Sequence, residues 1–278
     1  VSSASRVGDS NQGQSAHPSA PRRSPAPTIR LDPEHLGMIA RRLQSLPIDD
    51  MIQQQTARTI DRDGKVAPVF REIYVSMGDL RERIAPRIDL FANRWLFQHL
   101  TEFLDKQLLA YLARQGGAGG GDQPISVNLN ISTIESAEFR RFHAVRRQRP
   151  DQAIVEVQLI DILADWRAYA EARDCLRHLG YHVLLDGLTP LTPQLVEVAS
   201  IDTDLVKLWW SRELPERLSV DRIAVLRRML DHYGSERVIL ARVDSLDALR
   251  WGLTLGIQRF QGFLIDRLAK AQLPEVRP

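Results

Sequence analysis

At 278 residues, the chain is long enough for one large α/β domain or two small ones, and either can bury a sizeable core. Its 44% hydrophobic and 26% charged residues are ordinary for a soluble globular protein, and a net charge of +2 gives no case for nucleic acid or an anionic membrane as partner. No segment approaches the roughly 20 consecutive apolar residues of a membrane helix, and the single cysteine, Cys175, excludes an internal disulfide and fits a reducing cytoplasm. The sequence begins with Val, which is compatible with a fragment of something longer, and in that case an anchor or sensor domain upstream is open.

Residues 1–29 are rich in Ser, Pro, Gln, Gly and Arg and carry almost nothing to bury, so they read as a disordered linker. Its Pro21-Arg22-Arg23-Ser24 core is a candidate docking peptide, with a solvated tether as the plainer reading. One domain is expected over 30–278. Asp32-Pro33-Glu34 opens a helix with a capping side chain and a proline in the first turn. The stretch 53–70 reads as a strand pair turning at Asp63-Gly64, and Glu72 to Val75 continues as a strand. Residues 88–114 form one long amphipathic helical region, with Leu96, Leu100, Phe103, Leu104, Leu108 and Tyr111 at helical spacing, ended by a loop from Gly116 to Gly121.

From there strand and helix alternate. Strands are predicted over 126–131, 154–159, 182–186, 205–209, 238–241 and 259–263, and helices over 164–179, 193–199, 220–233 and 245–255. Such alternation implies a parallel sheet. These strands, the Glu72 strand and one before it reach the count of a closed (β/α)8 barrel, with an open doubly wound sheet as the alternative. No Gly-x-Gly-x-x-Gly or Gly-Lys-Ser/Thr loop follows any strand, which weakens the nucleotide-fold version.

The apolar run Tyr181 to Leu185 ends in Asp186-Gly187, a strand buried on both faces that closes on one carboxylate. In a barrel, the carboxyl ends of the strands converge on one mouth. Read in order, those ends carry Glu72, Asn128, Glu156, Asp186 and Lys207. Three carboxylates and an amide oxygen suit a hard cation such as magnesium, manganese or calcium, and a lysine beside them suits a phosphate or the activation of water. Any one of these residues alone is better explained by turn formation and solubility; their recurrence over five strands favours a site.

Arg71-Glu72-Ile73-Tyr74, Ser126-Val127-Asn128-Leu129, Val155-Glu156-Val157-Gln158-Leu159, Leu179-Gly180-Tyr181 through Asp186-Gly187-Leu188, Asp204-Leu205-Val206-Lys207-Leu208-Trp209 and Leu255-Gly256-Ile257 with Gln261-Gly262-Phe263-Leu264 follow in a fixed order. They resemble, in turn, the Glu-Ala-Leu, Ser-Val-Asn-Leu, Leu-Glu-Ile-Thr-Glu, Leu-Gly…Asp-Asp-Phe-Gly, Asp-x-x-Lys-Ile-Asp and Leu-Gly…Gln-Gly-Tyr-Leu motifs of the EAL domain, the cyclic-di-GMP phosphodiesterase barrel. The resemblance runs from about residue 50 to 268 and implies a TIM-like (β/α)8 barrel of the EAL type. It makes Glu72, Asn128, Glu156 and Asp186 the ligands of one metal, Gln261 and Arg242 candidate ligand-binding residues, and Lys207 and Asp244 vestiges of the catalytic set.

The departures from those motifs bear on function. The second aspartate of the metal-bridging pair is Gly187, so the two-metal clamp on attacking and leaving oxygens is not expected to form. Leu159 stands for the second glutamate of its motif, Trp209 for the aspartate after the lysine, and Ser76 or its neighbour for the arginine that holds a phosphate. The family's Ala-Glu-Gly-Val-Glu loop is a shorter Ala241-Arg242-Val243-Asp244, with Arg242 where the general base belongs. A guanidinium stays protonated and takes no proton from water, and losing one positioned base costs about 10²–10⁴-fold. The Gln-Pro-Ile substrate strand is not recognisable around Gln53 to Ala57. The expectation is a catalytically inactive module that binds or regulates in cyclic-di-GMP-related signalling, through a protein partner or by sensing the nucleotide. The alternative is a residual phosphodiesterase using one divalent ion, magnesium or manganese. Equally open is whether the four ligands hold that ion or persist as hydrogen-bonding groups with Lys207 as counter-ion. Arg242 either meets a phosphate or pairs with Asp186 or Glu156 and plugs the mouth.

Trp209 and Trp210 are neighbours on one strand and face opposite sides; core packing is preferred for Trp209 over stacking on a ligand base. Arg140, Arg141, Arg146, Arg147 and Arg149 read as a solvated helix and loop in preference to a nucleic-acid surface. Cys175 reads as a small helix-packing residue. The 88–114 helix offers a homodimer surface, though packing on the barrel explains it without one.

Overall fold

Strands predicted from short apolar runs close on one another. The computed structural model describes residues 29–46, 48–61, 64–116, 123–149, 152–213 and 218–272. Its strands are β1 (Ile29–Arg30), β2 (Ile52–Ile60), β3 (Val66–Val75), β4 (Ile88–Asp89), β5 (Ile125–Asn128), β6 (Ala153–Gln158), β7 (His182–Leu188), β8 (Leu205–Trp209), β9 (Val238–Ala241) and β10 (Arg259–Phe260). Eight of them form a closed barrel in the order β10-β2-β3-β5-β6-β7-β8-β9, while β1 pairs with β4 in a separate two-stranded sheet. The open doubly wound alternative is thereby excluded. The predicted linker lies outside the described residues except for Ile29, and so does the predicted Gly116–Gly121 loop from residue 117 onward.

The barrel is not uniformly parallel. β2 runs antiparallel to both β3 and β10, whereas every other neighbouring pair is parallel. The cause is the connection: only residues 61–65 join β2 to β3, and a parallel crossover needs a dozen residues or more. Other boundaries move for local reasons. The predicted 88–114 helix splits, because Ile88–Asp89 pairs with β1 and the Asn93 side chain accepts from the Trp95 and Leu96 N–H groups, so the helix starts at Arg94 and runs to Arg114. The predicted 164–179 helix runs from Trp166 to His178, with the Asp165 side chain accepting from Ala168 N–H, and a separate turn occupies Leu159–Ala164. The predicted 193–199 helix is two short 3-10 turns, Thr192–Gln194 and Val198–Ser200, because Glu197 between them leaves the helical region at ψ 84°. Strand β5 stops at Asn128, short of residue 131, and strand β10 stops at Phe260, short of residue 263, since helices begin at Ile131 and Phe263.

Strand alternation then sorts the side chains. Outward-facing Val155, Val157, Val183, Leu185, Val206, Leu208, Val238 and Leu240 are buried under the surrounding helices. Inward-facing Ala57, Phe70, Ile154, Leu184, Leu205 and Ile239 form a compact apolar plug. Two residues beyond four of these plug residues come Glu72, Glu156, Asp186 and Lys207. The plug is therefore the floor on which the polar mouth is built.

The remaining expectations fall on the outer shell. Leu100, Leu104, Leu108, Leu109 and Leu112 of the long helix are buried, which fits its packing on the barrel. Cys175 faces outward, off the buried Tyr169, Ala172 and Leu176 face, so it does not pack as expected. Arg146 departs from the solvated reading too: it is buried, and its Nη2 donates to the Gln152 carbonyl at 3.0 Å. No helix among the described residues is long and apolar enough to cross a membrane.

Candidate functional site

The barrel mouth brings together six of the residues expected there. Lys207, on β8, reaches across with Nζ 3.1 Å from Glu72 Oε2 and 2.5 Å from Glu156 Oε2. Glu72, on β3, also accepts from Asn128 Nδ2 at Oε1 and from Gln261 Nε2 at Oε2, both at 2.7 Å. Asp186, on β7, accepts from Gln158 Nε2 at Oδ2 (2.7 Å) and from Trp209 Nε1 at Oδ1 (2.8 Å). These two bonded sets, one around Lys207 and Glu72 and one around Asp186, lie side by side over β3, β5, β6, β7, β8 and the residue after β10. Each member sits there because a period of two lifts it above the plug.

Burial makes these charges depend on one another. Glu156 is 1% exposed and Lys207 2%. Desolvation pushes the Glu156 carboxyl up to about 8, the negative charge of Glu72 adds to it, and Lys207 opposes it. Glu72 is also penalised by burial, but Lys207, Gln261 and Asn128 together outweigh that and hold its pKa below the usual value. For Lys207, desolvation favours loss of the proton, yet Glu156, Glu72 and Asp186 overcome it and raise its pKa. The two directions for the Lys207–Glu156 pair pull apart, since a fully ionised pair would lower the glutamate. We take Lys207 as cationic and Glu72 as ionised, with Glu156 the acid that gains a proton first, because one ammonium faces two acids.

The same contacts bear on whether a divalent ion fits. The donor set has the right chemistry, three carboxylates and an amide. As arranged, its acceptor atoms are taken. An ammonium lies between Glu72 and Glu156, both Asp186 oxygens accept from protein donors, and Asn128 turns its NH2 towards Glu72. Among the described residues no cluster of three or more His, Cys, Asp or Glu side chains is placed to hold a metal. The present geometry does not fit the ion. One atom departs from this saturation: Glu156 Oε1 is buried with no hydrogen-bond partner among the described residues.

A cavity of about 450 Å³ opens beside the mouth, between its rim and the Arg94–Arg114 helix, with Tyr74, Arg94, Phe97, Asn128, Ile160 and Trp209 in its lining. Asp105, on that helix, also lines it. Its Oδ2 accepts from Asn130 N (2.7 Å), Asn130 Nδ2 (2.8 Å) and Thr133 Oγ1 (3.2 Å), tying the helix to the turn after β5.

Solved structures were compared with this fold. The barrel is similar to the S helix-GGDEF-EAL portion of Vibrio cholerae LapD bound to cyclic di-GMP, at 16% identity and a TM-score of 0.59 over 83% of this chain and 57% of that one. It is similar to the Xanthomonas citri FimX EAL domain in complex with cyclic di-GMP, at 13% identity and a TM-score of 0.60 over 85% and 94%. It is also similar to Klebsiella pneumoniae BlrP1 in a calcium and cyclic-di-GMP complex, at 16% identity and a TM-score of 0.51 over 78% and 55%. The chain has the EAL-domain fold. It spans little more than half of the LapD chain. No family profile and no curated protein sequence matches it.

Set on the EAL fold, the expected residues divide. Glu72, Asn128, Glu156, Lys207 and Gln261 share one hydrogen-bonded network, with Gln261 turned onto Glu72, while Asp186 is bonded beside it to Gln158 and Trp209 and acts on Glu156 and Lys207 through charge alone. Arg242 and Asp244 lie outside both sets. Arg242 is exposed with its guanidinium 4.0 Å from the centroid of the Trp209 ring, and no ion pair joins it to Asp186 or Glu156 among the described residues. It therefore does not plug the mouth. Its backbone sits at φ 63°, the sole non-glycine residue in the left-handed region among those described, a conformation costing about 1 kcal/mol or more. Asp244 is exposed and accepts from Phe263 N–H at 2.8 Å, at the start of the closing helix. Ser76 accepts from Asp79 N–H and starts the Met77–Ile84 helix.

Two working members of the mouth were not anticipated. The sequence gives Gln158 no role and favours the core for Trp209, whereas the Trp209 ring is half-buried and fixed to Asp186. The signal was present in both cases. Gln158 follows Glu156 by two residues, and Trp209 follows Lys207 by two, so strand period aims both into the mouth.

Proposed function

We propose that this EAL-type domain is non-catalytic and acts as a binding and regulatory module in cyclic-di-GMP-related signalling. One observation carries the reading: protein donors, with Lys207 at the centre, occupy the positions around Glu72, Glu156 and Asp186 that a reacting metal would need. The substitutions at the chemical positions agree with it. Gly187 supplies no second carboxylate, and Arg242 cannot act as a base. The LapD and FimX structures to which this fold is similar carry cyclic di-GMP, which makes that nucleotide the first ligand to test. The cavity beside the mouth offers it an aromatic face at Trp209 and a cation at Arg94, with Arg242 stacked on the Trp209 ring outside the cavity's lining. A protein partner is the other mode of the same reading, and a reducing cytoplasm suits either.

A residual single-metal phosphodiesterase is the second reading. It is favoured by the unpartnered Glu156 Oε1 and by the calcium in the BlrP1 complex. Titration calorimetry with cyclic di-GMP, in EDTA and in magnesium, with linear product assayed in the same sample, separates the two. The expected result is no product and the same heat in both buffers. Product formed at a rate abolished by Glu72→Ala overturns the non-catalytic reading. Absence of both heat and product assigns the regulatory contact to a protein.

A further inference from the structure

The opposite end of the barrel holds a second cavity. It has a volume of about 460 Å³ and is bounded by residues at the amino ends of the parallel strands, including His182 of β7 and Leu205 of β8, away from the mouth. Its apolar wall is the underside of the plug, formed by Phe70, Ile154 and Leu205. Its basic groups are Arg259, Arg237 and His182. We propose that this cavity binds a small organic anion, a carboxylate or phosphate monoester on a compact apolar body, with Arg259 as the anion-binding residue.

Arg259 carries the argument. It is the first residue of β10, two before Gln261, so the alternation that sends Gln261 towards the mouth sends Arg259 into the barrel below it. Its side chain is half-buried, and among the described residues no hydrogen bond or ion pair reaches its guanidinium. Desolvation lowers its pKa, with Glu236 opposing only through space. A guanidinium has five donors in a rigid fork. The fork is held open towards the cavity above an apolar floor, and a bidentate oxyanion is the group whose geometry matches it.

The neighbouring acids do not fill that role. Asp204 lines the cavity, but its Oδ1 accepts from Arg177 Nη2 (3.1 Å) and its Oδ2 from Val183 N–H (2.7 Å). Glu236 is exposed at the rim, where its nearest ion pair is Arg237 Nε at 3.9 Å. Arg237 Nε itself is engaged by the Tyr233 carbonyl. The volume is that of a metabolite site, which usually spans about 300–1,000 Å³. Phe70, Ile154 and Leu205 call for an apolar body, so inorganic phosphate alone leaves the wall uncovered. A neutral ligand leaves Arg259 unmet. The plug separates this cavity from the mouth, so the two ends need not compete for one ligand.

Calorimetry on the full chain with benzoate, phenyl phosphate and benzyl alcohol tests the assignment. Benzoate or phenyl phosphate is expected to bind saturably, and benzyl alcohol not to bind. Arg259→Met, which keeps the bulk and removes the fork, weakens the anion by about tenfold or more. Arg259→Lys keeps the charge without the fork and restores part of the affinity, so the assignment stays testable if the methionine variant fails to fold. Trp209→Ala, at the other end, leaves the Arg259-dependent part of the anion binding in place. The proposal is overturned if neither anion gives saturable heat up to about 10 mM, if Arg259→Met and Arg259→Lys both bind as tightly as the parent, or if Trp209→Ala abolishes binding.

Discussion

Replacing Lys207 by methionine asks whether one ammonium is what allows two acids to share the barrel mouth. Lys207 is 2% exposed, 3.1 Å from Glu72 and 2.5 Å from Glu156. Methionine is of similar length and fills the space, so the perturbation is electrostatic and leaves little cavity. Removing one partner of a buried ion pair costs about 3–5 kcal/mol, because the other charge stays buried without compensation. Here two carboxylates lose the partner. Glu72 keeps its Asn128 and Gln261 donors, but the Glu156 carboxylate loses the one hydrogen bond it makes among the described residues, since its Oε1 has none there. We expect Lys207→Met to lose about 4 kcal/mol in equilibrium urea unfolding at pH 8. Glu156→Gln alone loses about 1.5–3 kcal/mol, the worth of a hydrogen bond to a charged group. Combined with Lys207→Met it removes the stranded acid, so the double variant is more stable than the sum of the two losses by at least about 1 kcal/mol. A Lys207→Met loss below about 1 kcal/mol, or strictly additive losses, refutes the counter-ion role.

Three other outcomes are expected. Gly187→Asp rebuilds the missing acid in sequence only: the backbone sits at φ 81°, and a Cβ there meets Gln158 Oε1 at 2.8 Å. It destabilises by about 1–2 kcal/mol and gains no thermal stabilisation from manganese; a melting temperature raised by millimolar manganese counts against this. Burial pushes Asp105 up to about 7 from the ordinary 3.8, so the folded chain holds a proton the unfolded chain releases, and stability falls as pH rises between those values. The effect is at most about 4 kcal/mol, and Asp105→Asn flattens that part of a stability–pH profile; an unchanged slope rules Asp105 out as its source. Trp209→Phe removes the indole donor to Asp186 and the better cation–π face for Arg242, and lowers stability by about 1–2 kcal/mol in urea unfolding; a loss of a few tenths shows the bond is not made in solution.

The legible part of the sequence was whatever repeats with strand period. Runs such as Tyr181 to Leu185 gave the barrel strands, and reading the polar residue beyond each run gave Glu72, Asn128, Glu156, Asp186 and Lys207. The antiparallel β2 was not legible as such, because Ile52–Ile60 contains three successive glutamines and pairs by register, not by an apolar face. What decided its direction was the short link to β3. Helix starts were legible where a cap stood alone, as at Asp32, which accepts from His35 N–H at 2.8 Å. They were misplaced where a cap lay inside an amphipathic run, as at Asn93. Trp209 failed for another reason: hydrophobicity argued for the core, while its indole N–H could be assigned only once Asp186 was known to lie beside it. Arg242 is similar. Sequence offered an ion pair or a phosphate contact, and the cation–π alternative depended on a ring two strand positions past Lys207.

These placements alter what recognition at the mouth can be. Glu72, Glu156 and Asp186 face inward over a solid plug, and their lone pairs are largely spent on Lys207, Gln261, Asn128, Gln158 and Trp209. Any ligand that used them would have to break hydrogen bonds between buried groups, each worth more in a desolvated site than at the surface. The groups that remain available lie above them: the exposed guanidinium of Arg242, the Trp209 ring beneath it and the Arg94 side of the adjoining cavity. On the proposed function, recognition of a phosphate or a base falls at the rim, where the cost of displacing internal partners is small. Lys207 holds the buried acids of the barrel together, and on the proposed function Arg242 with Trp209 is where ligand affinity is set. Lys207→Met should accordingly appear in unfolding curves first, whereas Arg242→Ala should cost no more than about 1 kcal/mol, the worth of an exposed cation–π contact, and appear chiefly in ligand affinity.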